Sequence, residues 1–353
     1  MYRFRFRYLL RWFIGLILMV AGCQPSGEVQ PVVGVLLSRE DLASSLLQAG
    51  FREAATRAAV RLVLDSADGQ VEQETGLVTR LISSRPSALI VTPVSPTASY
   101  DALARARDAG IPVVCFRTCV EPADIASAYV IADDRELGSA SGDAALELIV
   151  GRLGGEARIG ILTCGQDERC QRRRAGFLSR VRMLQAEVVA EAEAGSTESA
   201  RAAIEAMLSA HPEINLIWAA DRQGTVAAVG AVRTRSLAGR VFVLGTGIDD
   251  EILAALQAGD DILQGVADYS LYQIGFVLLD AALAAAAEQE AFGPVAIAPV
   301  YLSREDPSLI QAFQQSGGRL VPTPATRTLS TPTETFPACS TCNPKAHPVI
   351  PTP

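Results

Sequence analysis

The chain has 353 residues, 49% hydrophobic and 20% charged, which is enough for two domains with separate cores and too apolar for a disordered polymer. Formal net charge is −8; without the four arginines of the first 22 residues, 27 basic residues face 39 acidic ones, a balance of −12. A body this acidic excludes nucleic acid as the partner, because phosphate attraction needs clustered positive charge.

Arg3, Arg5, Arg7 and Arg11 precede an apolar run from Trp12 to Met19, and Val20-Ala21-Gly22-Cys23 follows. A basic end, an apolar stretch of signal length and small residues at the cut read as an export signal over residues 1–22. An uncleaved anchor is the alternative, and the run is short for a full span. The Val-Ala-Gly-Cys box resembles the processing site of bacterial lipoproteins, which implies a lipid on Cys23. Residues 23–31 read as a tether between that lipid and the folded body.

From Val32 the chain alternates short apolar runs with amphipathic stretches. Strands are predicted at 32–37, 60–64, 88–92 and 112–116, with helices from Leu42, over 71–82 and over 98–109. A second apolar pair of runs, 111–116 and 128–132, ends at Asp133-Asp134-Arg135, where the alternation restarts. Helices are predicted at 136–153, 169–184, 197–210, 224–234 and 249–257, with strands at 158–163, 186–190, 216–219, 241–245 and 262–267. Helical crossovers of this length imply parallel order. A long helix over 271–289 and one final strand over 296–302 follow.

The expected architecture is α/β, with two Rossmann-like lobes of parallel sheet joined by three hinge crossovers near 133, 268 and 292. The first lobe takes 32–133 plus 268–292 and the second 134–267 plus 293–306. Residues 307–353 are read as a Pro/Thr-rich tail containing one short helix. In parallel sheets a ligand sits beyond the carboxyl ends of the strands, here in the cleft between lobes.

Catalysis finds no support. Gly245-Thr246-Gly247 lacks the rest of a dinucleotide loop, Lys345 is the chain's lone lysine, and His211 and His347 stand at a helix end and in the tail. No enzyme activity, cofactor or metal is expected. Cys339, Cys342 and His347 are one ligand short of a zinc site. Six cysteines fall in close pairs, Cys115/Cys119, Cys164/Cys170 and Cys339/Cys342, and in an exported chain disulfides are expected among them. Their connectivity stays open, since six cysteines allow fifteen pairings.

The loops leaving the strands offer Arg39 and Asp41, Arg117, Asp133 and Asp134, Gln171 and Arg173, and Asp221. Several of these residue types also cap helices or sit on solvated faces. Arginines converging in a closing cleft favour a carboxylate, a phosphate or a densely hydroxylated solute.

The order of Ala109-Gly110-Ile111-Pro112-Val113-Val114, Ile131-Ala132-Asp133-Asp134-Arg135, Arg173-Arg174-Ala175-Gly176-Phe177 and Leu208-Ser209-Ala210-His211-Pro212 resembles the ribose-type periplasmic binding proteins of bacterial ABC transporters. The resemblance covers residues 33–303 and implies two lobes closing on one small polar ligand, read by an ABC permease. It also departs from the pentose pattern. Arg39-Glu40-Asp41-Leu42 stands where an aromatic pair belongs, and Arg117-Thr118 replaces the Asp-Arg after the fourth strand. Gln171 replaces the first arginine of Arg-x-Arg while Arg173 keeps the second; Ala220-Asp221 matches Asn-Asp, Thr246-Gly247 matches Phe-Asp, and Tyr269 takes the place of the crossing glutamine. The expected protein is therefore a monomeric solute-binding lipoprotein of the cell envelope, facing the periplasm in a Gram-negative host. Its ligand is sugar-like, with the arginines favouring an anionic one. Two alternatives stay open: a sensor presenting its closed form to a membrane receptor kinase, and a structural lipoprotein with a degenerate cleft.

Overall fold

In a computed structural model, residues 30–39, 45–165, 167–287 and 295–319 are described. The leader, Cys23, Asp41, Cys339, Cys342 and the chain beyond 319 lie outside them.

Apolar runs flanked by amphipathic segments fold here into strands and covering helices. The first lobe carries β1 (Val32–Leu37), α1 (Ser45–Arg57), β2 (Arg61–Ser66), α2 (Val71–Ser83), β3 (Ala88–Val91), α3 (Tyr100–Asp108), β4 (Val113–Phe116) and β5 (Ala126–Ile131). The second carries α4 (Asp134–Arg152), β6 (Glu156–Thr163), α5 (Glu168–Val181), β7 (Gln185–Glu193), α6 (Thr197–Ala210), β8 (Leu216–Ala219), α7 (Arg222–Thr234), β9 (Phe242–Thr246), α8 (Asp250–Gln257) and β10 (Leu263–Asp268). Then come α9 (Leu271–Ala286), β11 (Val295–Ala296), β12 (Val300–Ser303) and α10 (Pro307–Gln315).

The two sheets repeat one order, β2-β1-β3-β4-β5-β11 and β7-β6-β8-β9-β10-β12. β3 and β8 are buried at every position, as strands covered by helices on both faces must be. α9 returns to the first lobe, where Ile274, Leu278 and Ala282 join Val35, Phe51 and Val114 in one core. The chain therefore passes between lobes three times: after Ile131, after Asp268, and between Ala296 and Val300.

Three details correct the sequence reading. The stretch 296–302 is not one strand. β11 pairs parallel with β5 in the first sheet and β12 pairs with β10 in the second, so residues 295–296 belong to the first lobe and the third crossing lies after Ala296 rather than near 292. Pro299, with no N–H to donate, sits in the break. The second sheet is not wholly parallel, because β12 runs antiparallel to β10. Finally, α10 is part of the second lobe and not of the tail: Ile310 and Phe313 enter the core beside Leu256 and Val266. Burying two such side chains contributes about 1.5–3 kcal/mol each, enough to dock a short helix.

Glycines set how closely the helices approach. A Cβ on Gly138 in α4 would collide with the Arg173 carbonyl, and one on Gly176 in α5 with that of Arg135. The first lobe uses the same device, since a Cβ on Gly50 would strike the Tyr272 carbonyl. The α4–α5 approach brings the start of α4 beside Arg173. Beneath α5, Phe177 stacks on Trp218 with ring centroids 4.4 Å apart.

Candidate functional site

Arg117 follows β4 at the carboxyl end of the first sheet. Its φ of 61° is left-handed, a conformation that costs a non-glycine residue on the order of 1–3 kcal/mol and that persists only where the surroundings impose it. Four constraints do so. Thr118 N donates to the Phe116 carbonyl at 2.7 Å, Arg117 N donates to the Val130 carbonyl at 3.2 Å, and the Tyr129 hydroxyl donates to the Arg117 carbonyl at 2.5 Å. A disulfide between Cys115 and Cys119, Cα atoms 5.2 Å apart, closes the loop.

This loop presents the Arg117 guanidinium to the second lobe. Burial holds the group below the usual arginine range, and the Arg169 guanidinium pushes the same way; Asp134 opposes, Arg173 adds to the lowering, and Asp268 opposes. All four neighbours follow residue 133, whereas Arg117 precedes it, so the charges meet across the cleft. The side chain is nevertheless open to solvent, as expected of a group standing inside a concavity. An arginine stays charged near neutral pH even when shifted.

The facing groups come from two helix starts and one strand end. Asp133 caps α4 by accepting from Arg135 N at 2.9 Å, and Asp167 caps α5 by accepting from Arg169 N at the same distance. Arg173 Nε donates to Asp134 Oδ1 at 2.7 Å and its Nη1 donates to the Ala220 carbonyl at 3.0 Å; the two side chains keep only 17% and 16% of their exposure. Arg169 is paired with Asp167 at 2.6 Å. Asp268 accepts from Ile248 N at 3.0 Å and Tyr269 N at 2.7 Å, yet burial raises its pKa, disfavouring the anion. Burial and Asp133 likewise push Glu136 up. The carboxylates near the ring are thus paired or disfavoured as anions, and the Arg117 guanidinium has no hydrogen-bonded or ion-paired partner among the described residues. An unpaired guanidinium beside two paired ones makes a place for an anionic or densely hydroxylated group.

Other residues singled out in the sequence lie around this ring. A second disulfide joins Cys164 to Cys170, Cα atoms 5.8 Å apart, across the loop that leads into α5. Gln171 Nε2 donates to the Gly165 carbonyl at 3.2 Å, on the far side of α5 from Arg173. Asp221 caps α7 through Gly224 N at 2.8 Å. Thr246 is fully buried, and its Oγ1 has no hydrogen-bond partner among the described residues. Tyr269 donates to the Asp133 carbonyl at 2.6 Å, and burial pushes its phenol pKa upward. Arg39 lies exposed beside Gly69. Arg169 and Asp268 were not singled out. Arg169 stands one helical turn before Arg173, and that i,i+4 spacing is the signal that could have found it. No cluster of three potential metal ligands occurs among the described residues.

Two lobes of repeated α/β order around a polar cleft define the solute-binding class. Residues 39–290 match the periplasmic binding protein domain, and the chain belongs to that family. Over 221 residues it is 30% identical to the ABC transporter periplasmic-binding protein YphF of Escherichia coli K12, covering 61% of this chain and 67% of that one. A solute binding protein from Actinobacillus succinogenes, crystallised with D-allose, is 26% identical with a TM-score of 0.63, covering 79% of this chain and 100% of that one. The periplasmic ribose ABC transporter structure from Conexibacter woesei has a TM-score of 0.69 at 17% identity, covering 80% and 95%, a likeness of fold. The family is that of the periplasmic solute-binding proteins of ABC transporters, which work outside the cytoplasm.

Proposed function

We propose that this chain is a lipid-anchored, monomeric solute-binding protein that captures an acidic, sugar-like solute between its lobes and presents it to an ABC permease. The anchor is an acyl-bearing Cys23 at the envelope, facing the periplasm, with residues 24–31 as the tether. The carrying observation is Arg117, an unpaired guanidinium held in a left-handed turn opposite Arg169 and Arg173. The D-allose of the Actinobacillus protein supports a hydroxylated ring as the ligand class. Arg117, where the ribose pattern has an aspartate, joins the retained Arg173 in favouring a carboxylate or phosphate on that ring. Closure would exchange water around these groups for aligned hydrogen bonds and so shift an open–closed equilibrium that the permease reads.

A thermal-shift screen of neutral sugars, sugar acids, nucleosides and small organic acids tests the ligand class. Sugar acids are expected to raise the melting temperature most. Stabilisation by an unmodified pentose alone would count against the acidic reading.

A further inference from the structure

A cavity of about 310 Å³ opens beside α5 at the carboxyl ends of β6 and β7, lined by Thr163, Gln171, Arg174, Glu191, Ala192 and Glu193. It lies on the cleft side of the second lobe, since Thr163 and Glu193 end their strands and Gln171 belongs to the first turn of the helix. A larger cavity of about 430 Å³ opens near Pro212, Asn215 and Val241, ahead of β8 and β9, at the opposite end of the strands from the arginines. Only the smaller one shares a helix end with the Arg117 site.

Successive helical residues turn by 100°, so Gln171 and Arg173 point to nearly opposite sides of α5. Arg169 and Arg173 serve the arginine ring, and Gln171 and Arg174 serve the cavity. A helix with its side chains is about 10–12 Å across, which sets the spacing of the two polar sites at roughly that distance. The second site also differs in chemistry. Arg174 makes a two-pronged pair with Glu191 at 2.6 and 2.7 Å, and Gln171 is steadied by the Gly165 carbonyl while its Oε1 has no partner among the described residues. Donors and acceptors are mixed here, as neutral hydroxyls need, because each hydroxyl gives one hydrogen bond and takes others. The volume stands at the lower end of the range for small-molecule sites, about 300–1,000 Å³.

We infer that the solute is longer than one ring: an acid held at Arg117 that carries a further hydroxylated ring, seated against Gln171, Arg174 and Glu191. This inference rests on the acidic reading proposed above. The Cys164–Cys170 bridge fixes the loop the ligand must cross on its way around the first turn of α5.

Calorimetric titration of the ligand-free full chain with uronic and aldonic acids, and with the same acids bearing one neutral pyranose, tests it. The two-ring acid is expected to bind about tenfold more tightly than its one-ring parent, from one or two added hydrogen bonds. Arg174→Ala is expected to bring the two affinities within about twofold of each other, and Gln171→Ala, read by the same ratio, serves if the first variant does not fold. Arg117→Ala weakens both probes alike. One-ring acids binding without any gain for two-ring acids, or a gain that survives in the variants, overturns the second subsite and leaves the acidic reading standing. Binding of neither probe overturns both.

Discussion

The Tyr269 hydroxyl donates to the Asp133 carbonyl across 2.6 Å, tying the second crossing between the lobes to the first. The Tyr269 hydroxyl is thus engaged by the main chain of the hinge. Tyr269→Phe is expected to cost about 1 kcal/mol. Urea unfolding followed by Trp218, the only tryptophan outside the leader, measures this loss. An unchanged midpoint at unchanged slope would show that the bond contributes nothing.

Arg117→Ala is expected to weaken binding of a sugar acid about 10- to 100-fold, the worth of one charge-assisted hydrogen bond. The unfolding midpoint is expected to hold, because the side chain is open to solvent and most of the turn's constraints come from neighbouring groups. Titration calorimetry beside a melting curve separates the two effects. Equal affinities for variant and parent would remove Arg117 from the site.

Both arms of the arginine ring leave disulfide-closed loops: Arg117 lies between Cys115 and Cys119, and Arg169 directly precedes Cys170. Replacing either pair by alanines is expected to cost about 2 kcal/mol of stability, from the loop entropy of the unfolded chain. Affinity is also expected to fall several-fold, because a freed loop must be ordered by the ligand. Comparing each double variant with the parent by calorimetry and melting checks both effects. A stability loss with unchanged affinity would make the bridges scaffold alone.

Glu74 is fully buried, accepting from the Ser99 hydroxyl and from Val94 N at 3.0 Å, and burial raises its pKa above 4.5. The folded state therefore holds this proton to higher pH than the unfolded state does. Stability from this group is full below the unfolded value and is lost as pH rises through the folded one. Glu74→Gln removes that loss, so the variant should gain on the parent as pH climbs above about 4.5. Denaturant curves at a series of pH values from 4 to 7 would show a constant difference if Glu74 did not titrate this way.

Local pattern carried much of the fold. α6 and β8 lie where periodicity and Pro212 place them, because a helix face and a short buried strand are properties of neighbouring residues. What failed was long-range. The apolar residues from Ala296 to Leu302 read as one strand, and nothing local says that they divide between two sheets. Ile310 and Phe313 stand three apart, a helical signal, but the Thr/Pro-rich sequence beyond them drew the boundary too early. In the site, Arg117 was legible because it leaves a strand, while its left-handed turn was not. The basic run from Arg172 to Arg174 splits as helix geometry requires: Arg172 pairs with Glu168 on the surface, Arg173 turns to Asp134 and Arg174 to Glu191. The cysteine partners, open in the sequence, needed the fold to bring their Cα atoms within bonding reach.

The central claim is that the two lobes close over a solute gripped between Arg117 and the start of α5. Small-angle scattering of the full chain, with and without a saturating sugar acid found in the melting screen, tests it most directly. The account predicts a smaller radius of gyration with the acid bound, and no such change in Arg117→Ala at the same acid concentration. An identical radius for free and saturated protein would contradict it.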